Sequence, residues 1–468
     1  MPRLLLALLT ALLLILTVLA PSPAAAQAGG PRLVTIRDAE TEAMIRSFAN
    51  PLFGTAGVDS GLVRITLIQD RAINAFVSTG NRMFIHTGLI QAAASAGEFL
   101  GVLAHETGHV AGGHLARLPD EMRAAMLRSV VAMLLGGAAA AASGDAGAMG
   151  AAMLGGQSLA MRELYAFTRA QEQAADQAAV TYLDRNGWSA LGMERLLERL
   201  MDQELLATSR QDPYLRTHPL SRDRLEFVRE HLARSRYTNT PLPAGMEERF
   251  ALVKAKLHGF LDSPANTWRR YPESDKSTPA RYARAIAQFR SGRIDTAVAM
   301  LNEMLREQPG NPYLHELKGQ VLFEGGRPRE AYAPYREAVR LAPGEPLIRL
   351  SFARVMLESE DPALLRPAVQ ELEASLARER DSAFVWRQLG IAYGRLGQMP
   401  QADLALAEEA MLNGEFADAR YLARRAAEAL PPGPLRLRAQ DLRNAASREN
   451  MTPEQRRAED EMRRGTRR

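Results

Sequence analysis

The stretch His105-Glu106-Thr107-Gly108-His109 places two imidazoles four residues apart, with a carboxylate beside the first. On a helix both imidazoles share one face, because residues four apart lie one above the other. Zinc takes nitrogen and carboxylate ligands in a tetrahedral set, and one helical turn offers two of them already ordered. A carboxylate at position 106 then stands where it can take a proton from an activated water and pass it to a leaving amine. The pattern predicts peptide-bond hydrolysis. With 8 His in 468 residues, it arises by chance on the order of once in a hundred chains of this length. The plainer reading is an amphipathic helix whose apolar face, Phe99, Leu100, Val102, Leu103 and Val110, is bordered by two histidines.

The third ligand does not follow at once. The spacing HExxHxxGxxH needs a histidine at position 115, which is Leu115, and His114 falls one residue short. Further on, Arg169-Ala170-Gln171-Glu172-Gln173-Ala174-Ala175-Asp176 sits in a helical pattern that runs through Val180 and Leu183. Glu172 and Asp176 share a face there. Taken alone, ExxxD marks a solvated charged face. Set 67 residues after His105 (172 − 105), Glu172 reads as the third ligand. Asp176 reads as the acceptor that fixes the tautomer of a ligating imidazole.

These two segments, together with Thr217-His218-Pro219-Leu220-Ser221-Arg222-Asp223-Arg224, resemble the gluzincin peptidases related to the CAAX prenyl proteases, in particular the periplasmic BepA type. The resemblance covers the chain nearly end to end after its leader. It implies a zinc endopeptidase with one Zn2+ per chain, held by His105, His109 and Glu172, with Glu106 as general base. It also implies that His218 of the His-Pro motif can reach the zinc as a conditional ligand, and that Arg224 lies at the active site. The substrate class it implies is misfolded or stalled outer-membrane proteins, with their assembly machinery as partner. The Ala/Gly-rich segment 122–160 departs from the resemblance.

Ahead of the motif, Met1 to Ala26 reads as a cleaved secretory signal: Arg3, an apolar run from Leu4 to Ala20, then the small residues Ala24-Ala25-Ala26. That predicts a secreted protein, and the resemblance implies the periplasm. A retained anchor is the alternative, which the Pro21-Ser22-Pro23 break disfavours. There is no cysteine, which excludes a disulfide framework and a lipidated amino-terminal Cys. The hydrophobic fraction of 46% and charged fraction of 24% are those of a globular protein. A net charge of +4, with much of the Arg excess in the tail Arg456 to Arg468, gives no ground for a nucleic-acid partner.

Between leader and motif, Asp38 to Ala49 predicts a helix and Val63 to Ile68 a strand. Asn74-Ala75-Phe76-Val77 and Arg82-Met83-Phe84-Ile85 flank Ser78-Thr79-Gly80-Asn81 as a hairpin. One of these strands is a candidate edge for pairing with an extended substrate. In segment 122–160, Val130 to Ala142 is apolar for 13 residues, too short to span a bilayer core of about 30 Å as a helix. A helical hairpin broken near Ser143-Gly144-Asp145 is expected. A cover over the metal, a peripheral membrane contact and a tightly packed helix pair all remain open for it.

Past Thr238 to Gly245, with Pro241 and Pro243, Met246 to Leu261 predicts a bridging helix. Then the chain repeats: Gly292 and Gly326, Ala297 and Ala331, and Pro309 and Pro343 each lie 34 apart, the tetratricopeptide period. Trp386, Leu389, Gly390 and Tyr393 fit the same signature as core residues. The third pair is expected to be irregular near Asp361-Pro362. The fold class expected is mainly α (α+β): a zincin-like peptidase domain with a small β-sheet, followed by a tetratricopeptide-repeat α-solenoid. The expected divisions are a signal at 1–26, peptidase at 27–237, linker and bridging helix at 238–277, repeats at 278–430 and a charged tail at 431–468.

Two other functions compete with the enzyme. A chaperone or assembly adaptor with a latent or structural metal site would not need a base at Glu106. A membrane-inserted protease of the prenyl-processing type would need several long apolar segments after the leader, and the sequence has none.

Overall fold

The computed structural model describes residues 34–143, 146–204, 218–219, 222–359 and 361–465. The leader read over 1–26, the Gly144-Asp145 break, and Thr217, Leu220 and Ser221 of the His-Pro motif lie outside the described residues.

Four strands, β1 (Thr35–Ile36), β2 (Arg64–Ile68), β3 (Ala75–Ser78) and β4 (Arg82–His86), form one sheet in the order β1-β2-β4-β3. β3 and β4 make the expected hairpin, turning through Gly80 and Asn81, whose φ angles are +77° and +54°. Helix α1 (Ala39–Ala56) precedes β2, and β2 runs parallel to β4, the second strand of the hairpin. β3 is left at the edge. His86 N donates to Asn74 O at 3.0 Å. By the alternation of an antiparallel ladder, the backbone groups of Ala75 and Val77 therefore face away from β4.

After α2 (Thr87–Ala92), helix α3 (Ala96–Gly112) carries the HETGH box. Ser95 caps it by accepting from Glu98 N at 3.3 Å, and the Glu98 carboxylate accepts in return from Ala94 N at 2.9 Å, a reciprocal arrangement that satisfies otherwise orphaned donors. From Glu98 to His109 every residue is buried. Phe99, Leu100 and Leu103 join Phe48, Leu67, Ile85, Leu183 and Leu196 in one core. A helix buried all round is a central strut, so the surface-helix alternative for HETGH does not hold.

Helices α4 (His114–Ser143) and α5 (Ala146–Arg185) pack on each other as the expected hairpin, and α5 also packs on α3. On α4, Met122, Met126, Leu127, Val130 and Val131 are exposed. Among the described residues no helix is long and apolar enough to cross a membrane. Helices α6 (Leu191–Glu204) and α7 (Arg222–Arg234) complete this part.

Helix α8 (Met246–Leu261) has the predicted bounds, and it is shared rather than a passive link. Phe250, Val253 and Leu257 sit in the core around α3, while Leu252 and Phe260 pack on the first repeat. After the short α9 (Pro264–Arg270) come the pairs α10–α11 (Thr278–Arg290, Ile294–Glu307), α12–α13 (Pro312–Glu324, Pro328–Leu341), α14–α15 (Pro346–Glu358, Leu365–Leu376) and α16–α17 (Ala383–Arg395, Met399–Asn413). Gly292, Gly326 and Gly397 hold φ of +74° to +76° at equivalent turns, which explains why the 34-residue period is marked by glycine. The third pair is interrupted by a 3-10 turn over Pro362–Leu364, at the irregularity expected there.

The stretch 431–468 is not a plain charged tail. After α18 (Phe416–Ala429), helix α19 (Pro434–Ala445) buries Ala439 and Leu442 against Ala423, Ala426 and Leu430. Helix α20 (Pro453–Gly465) is tied back by Arg420 to Glu459 at 2.8 Å. High charge on one face had hidden a short apolar spacing on the other.

The repeats are joined to the first part of the chain by a buried charge cluster and by surface ion pairs. Lys256 on α8 lies 2.5 Å from Asp38, 3.3 Å from Glu40 and 4.0 Å from Glu316 of α12, and Tyr282 of α10 donates to Glu40 at 2.8 Å. Arg37 reaches Glu379 at 2.6 Å, and Arg64 pairs with Asp381.

Candidate metal centre

Gly108 decides how close α5 can come to α3. A Cβ there would lie 2.8 Å from Ala175 O and 3.0 Å from Ala175 Cα, so only glycine allows the two backbones to touch at this level. That approach carries Glu172 and Asp176, one turn apart on α5, to the two imidazoles of α3.

One ligand atom from each of His105, His109, Glu172 and His218 lies within 4.8 Å of the others, and all four residues are buried. His105 Nε2 stands 3.1 Å from His109 Nε2 and 3.2 Å from His218 Nδ1. Glu172 Oε2 and Oε1 lie 3.3 Å from His105 Nε2 and His109 Nε2, and Oε1 is 3.1 Å from His218 Nδ1. A tetrahedral ion with bonds of about 2.0–2.1 Å spaces its ligands about 3.3 Å apart, so the donor set and its spacing fit such an ion. Three imidazole nitrogens converging on one point would otherwise face each other lone pair to lone pair.

The polar groups behind the ligands are ordered. Asp176 Oδ1 accepts from His105 Nδ1 at 2.8 Å, leaving Nε2 as the inward lone pair. Arg224, in the first turn of α7, donates from Nε to Asp176 Oδ2 at 2.6 Å and from Nη2 to Oδ1 at 2.9 Å. Its Nη1 lies 2.9 Å from Glu172 Oε2. Burial pushes the Glu172 carboxyl up, but hydrogen bonds from His105, His109 and His218 overcome this and hold it well below the usual carboxylate range. For Asp176 burial acts upward too, and Arg224 with His105 brings the net shift down. Burial lowers His105, yet Asp176 and Glu172 raise it to about 9, whereas burial takes His109 down to about 3.

Glu106 lies beside the cluster, 0% exposed, with neither carboxylate oxygen hydrogen-bonded. Burial raises its pKa, with His218 and His105 pulling the other way. A buried carboxylate without a hydrogen bond, beside three imidazoles, is costly unless something else occupies the space, which again fits an ion and its water. His218 Nε2 is 3.3 Å from Glu106 Oε1 and 3.2 Å from Ala75 O on the edge strand. The imidazole therefore stands between the cluster, the carboxylate and β3. A cleft of about 380 Å³, lined by Tyr165, Arg169, Glu172, Pro219 and Arg224, opens on the Glu172 side.

All seven residues singled out in the sequence meet here: His105, Glu106, His109, Glu172, Asp176, His218 and Arg224. Two were overlooked. Ala75 contributes a backbone carbonyl, for which a side-chain pattern carries no signal. His114, set aside for its spacing, places Nδ1 2.9 Å from His109 Nδ1; a histidine five residues after the second ligand was the available sign.

Residues 37–232 match the model of Peptidase family M48, and residues 282–346 match that of the tetratricopeptide repeat. The chain is 28% identical over 389 residues to the beta-barrel assembly-enhancing protease of Escherichia coli, covering 81% of this chain and 77% of that protein. It is 32% identical over 356 residues to the putative beta-barrel assembly-enhancing protease of Vibrio cholerae, covering 74% and 71%. Metalloprotease LoiP of Escherichia coli shares 29% identity over 173 residues, covering 36% of this chain and 63% of that protein. The buried HExxH-plus-Glu cluster, the helical repeats and this extent of identity make the chain a metalloprotease that belongs to the beta-barrel assembly-enhancing protease family, with a Peptidase family M48 domain followed by tetratricopeptide repeats.

Proposed function

We propose that the chain is a zinc-dependent endopeptidase of the periplasm that cleaves misfolded or stalled outer-membrane proteins, with the repeats recruiting the substrate or the assembly machinery. The observation that carries the catalytic part is the convergence of His105, His109, Glu172 and His218 beside Glu106, whose buried carboxylate accepts no hydrogen bond. The relatives named for enhancing beta-barrel assembly support the substrate class. The leader pattern over 1–26 supports the compartment.

In this reading His105, His109 and Glu172 hold the metal, and Asp176 and Arg224 keep His105 and Glu172 in their ligating forms. Zinc, when bound, supplies Lewis-acid chemistry that activates water and polarises a carbonyl. Glu106 takes the proton of the attacking water and delivers it to the leaving amine, and its burial favours that second, acidic role. The outward-facing backbone of Val77 on β3 offers an extended substrate a strand to pair with. His218, bonded to the neighbouring Ala75 carbonyl, obstructs that edge and the fourth ligand position together, so it acts as a conditional ligand that must move.

The domain division follows the same reading: peptidase at 27–237, bridge at 238–277 and repeats from 278. The deciding experiment is Glu106→Gln, which keeps size and removes the base. Zinc content is expected to stay at one per chain while cleavage of an unfolded protein falls roughly 10²–10⁴-fold. Undiminished cleavage would remove Glu106 from the mechanism, whereas no cleavage by the zinc-loaded parent would favour the adaptor reading, in which the metal is structural.

A further inference from the structure

We infer that His114 is a positioning residue for the metal centre: its Nδ1 accepts the Nδ1 proton of His109 and so fixes His109 as an Nε2 ligand. The inference rests on the ligand set proposed above and extends it to a residue which that reading leaves unused.

The two ligating imidazoles need the same service. To offer Nε2 to a cation, each must carry its proton on Nδ1 and donate it to a fixed acceptor. For His105 the acceptor is Asp176 Oδ1 at 2.8 Å. His109 Nδ1 has His114 Nδ1 at 2.9 Å instead. The direction of this bond follows from ligation. Were His114 to donate, the His109 proton would sit on Nε2, 3.1 Å from His105 Nε2 and 3.3 Å from Glu172 Oε1, and the lone pair that a metal needs would be lost. His114 must therefore be neutral with its proton on Nε2 and its Nδ1 lone pair turned to His109.

The chain is built to hold that pose. Gly113, with φ of +59°, ends α3 in the left-handed conformation, and α4 begins at His114. The two ring planes then stand at 84° with centroids 4.9 Å apart, so the nitrogens point at each other within their own planes. Gly112 leaves the space that the His114 ring fills, for a Cβ at Gly112 would overlap the ring, coming within 2.7 Å of Cδ2. The His114 carbonyl accepts from Gln171 Nε2 at 3.0 Å, which ties it to the residue before Glu172. His114 is buried at 8% exposure. Two successive glycines and a cross-helix bond thus place one lone pair against one ligand. His114 itself stays outside the ligand cluster.

The test compares zinc affinity, by chelator competition on the metal-free full chain, for the parent, His114→Asn, His114→Leu, Gly112→Ala and His109→Ala. In His114→Asn the amide oxygen supplies an acceptor near the Nδ1 position, whereas the leucine side chain of His114→Leu fills the space without one. His114→Leu is expected to weaken zinc binding about 10–100-fold, with His114→Asn within a few-fold of the parent. The metal-free melting temperatures of the two should match. Gly112→Ala keeps His114 but pushes its ring away, and should reproduce the loss, which covers the case in which His114→Leu fails to fold. Parental affinity in His114→Leu or Gly112→Ala, or equal weakening in His114→Leu and His114→Asn, overturns the inference. His109→Ala separates the two levels. If it binds zinc like the parent, the ligand set itself is wrong; if it alone loses zinc, only the role of His114 falls.

Discussion

Arg224 grips Asp176 through two nitrogens, Nε to Oδ2 at 2.6 Å and Nη2 to Oδ1 at 2.9 Å, while its third nitrogen reaches Glu172 at 2.9 Å. One guanidinium therefore answers for two buried carboxylates, each of which touches a ligand imidazole. Arg224→Met should strand both, and removing one side of such a buried pair costs about 3–5 kcal/mol. Denaturant melts of the metal-free protein would show this, and zinc should recover part of the loss by replacing the missing charge. Lysine cannot reproduce the fork, so Arg224→Lys is expected to fall nearer Arg224→Met than the parent. Parental stability in Arg224→Met would mean that the carboxylates are neutral at rest.

Gly108 sits between the ligands of its own box, and its role is spatial. Gly108→Ala drives a methyl to within 2.8 Å of Ala175 O, and neither helix backbone can yield cheaply. Overpacking of this kind costs about 1–3 kcal/mol. Because the strain separates α3 from α5, zinc affinity should fall along with the melting temperature, although no ligand has changed. An alanine variant with parental values for both would show that the helices have slack.

The residues of the candidate centre were legible because their signals are local and periodic. HETGH and ExxxD read as helical faces, and the 34-residue repeat reads as glycine returning at one turn. What the pattern missed depends on contacts between distant residues. The approach of Gly108 to Ala175 and the return of His114 onto His109 through Gly113 need two helices already in place. Lys256 of α8 gathers Asp38 and Glu40 from the start of α1 and Glu316 from α12, and no spacing announces that. The segment 238–277 reads as a linker from its prolines and polar residues, yet Phe250, Val253 and Leu257 bury one face of α8 in the core around α3.

The Lys256 junction should make stability depend on pH. One cation serves three carboxylates there. Asp38 is held low by Lys256 against its burial, while burial raises Glu40 and pushes Glu316 up to about 8. A carboxyl raised in the folded state, from an ordinary value of about 4.3, favours folding fully below the unfolded value. That contribution disappears as pH rises through about 8. The parent should therefore lose melting temperature between pH 5 and pH 9. Glu316→Gln should flatten that slope, raise the value at pH 9 by roughly 2 °C or more and change little at pH 5. Parallel pH profiles for the two proteins would place the dependence elsewhere.

His218 offers the last prediction, because its two nitrogens face different partners. Nδ1 lies 3.2 Å from His105 Nε2 and 3.1 Å from Glu172 Oε1, completing the donor set. Nε2 lies 3.2 Å from Ala75 O, on the edge strand, and 3.3 Å from Glu106 Oε1. A catalytic zinc needs an open position for water, and an imidazole here fills that position, covers the base and occupies the strand edge at once. His218→Ala should then keep zinc on His105, His109 and Glu172 while cleaving an unfolded protein several-fold faster than the parent. Zinc affinity should fall modestly, since one conditional ligand is gone. The opposite result, zinc retained but proteolysis lost, would assign His218 to stabilising the oxyanion once displaced from the metal. Unchanged proteolysis with unchanged zinc affinity would deny it either role, leaving the four-residue cluster as a three-ligand site with a bystander.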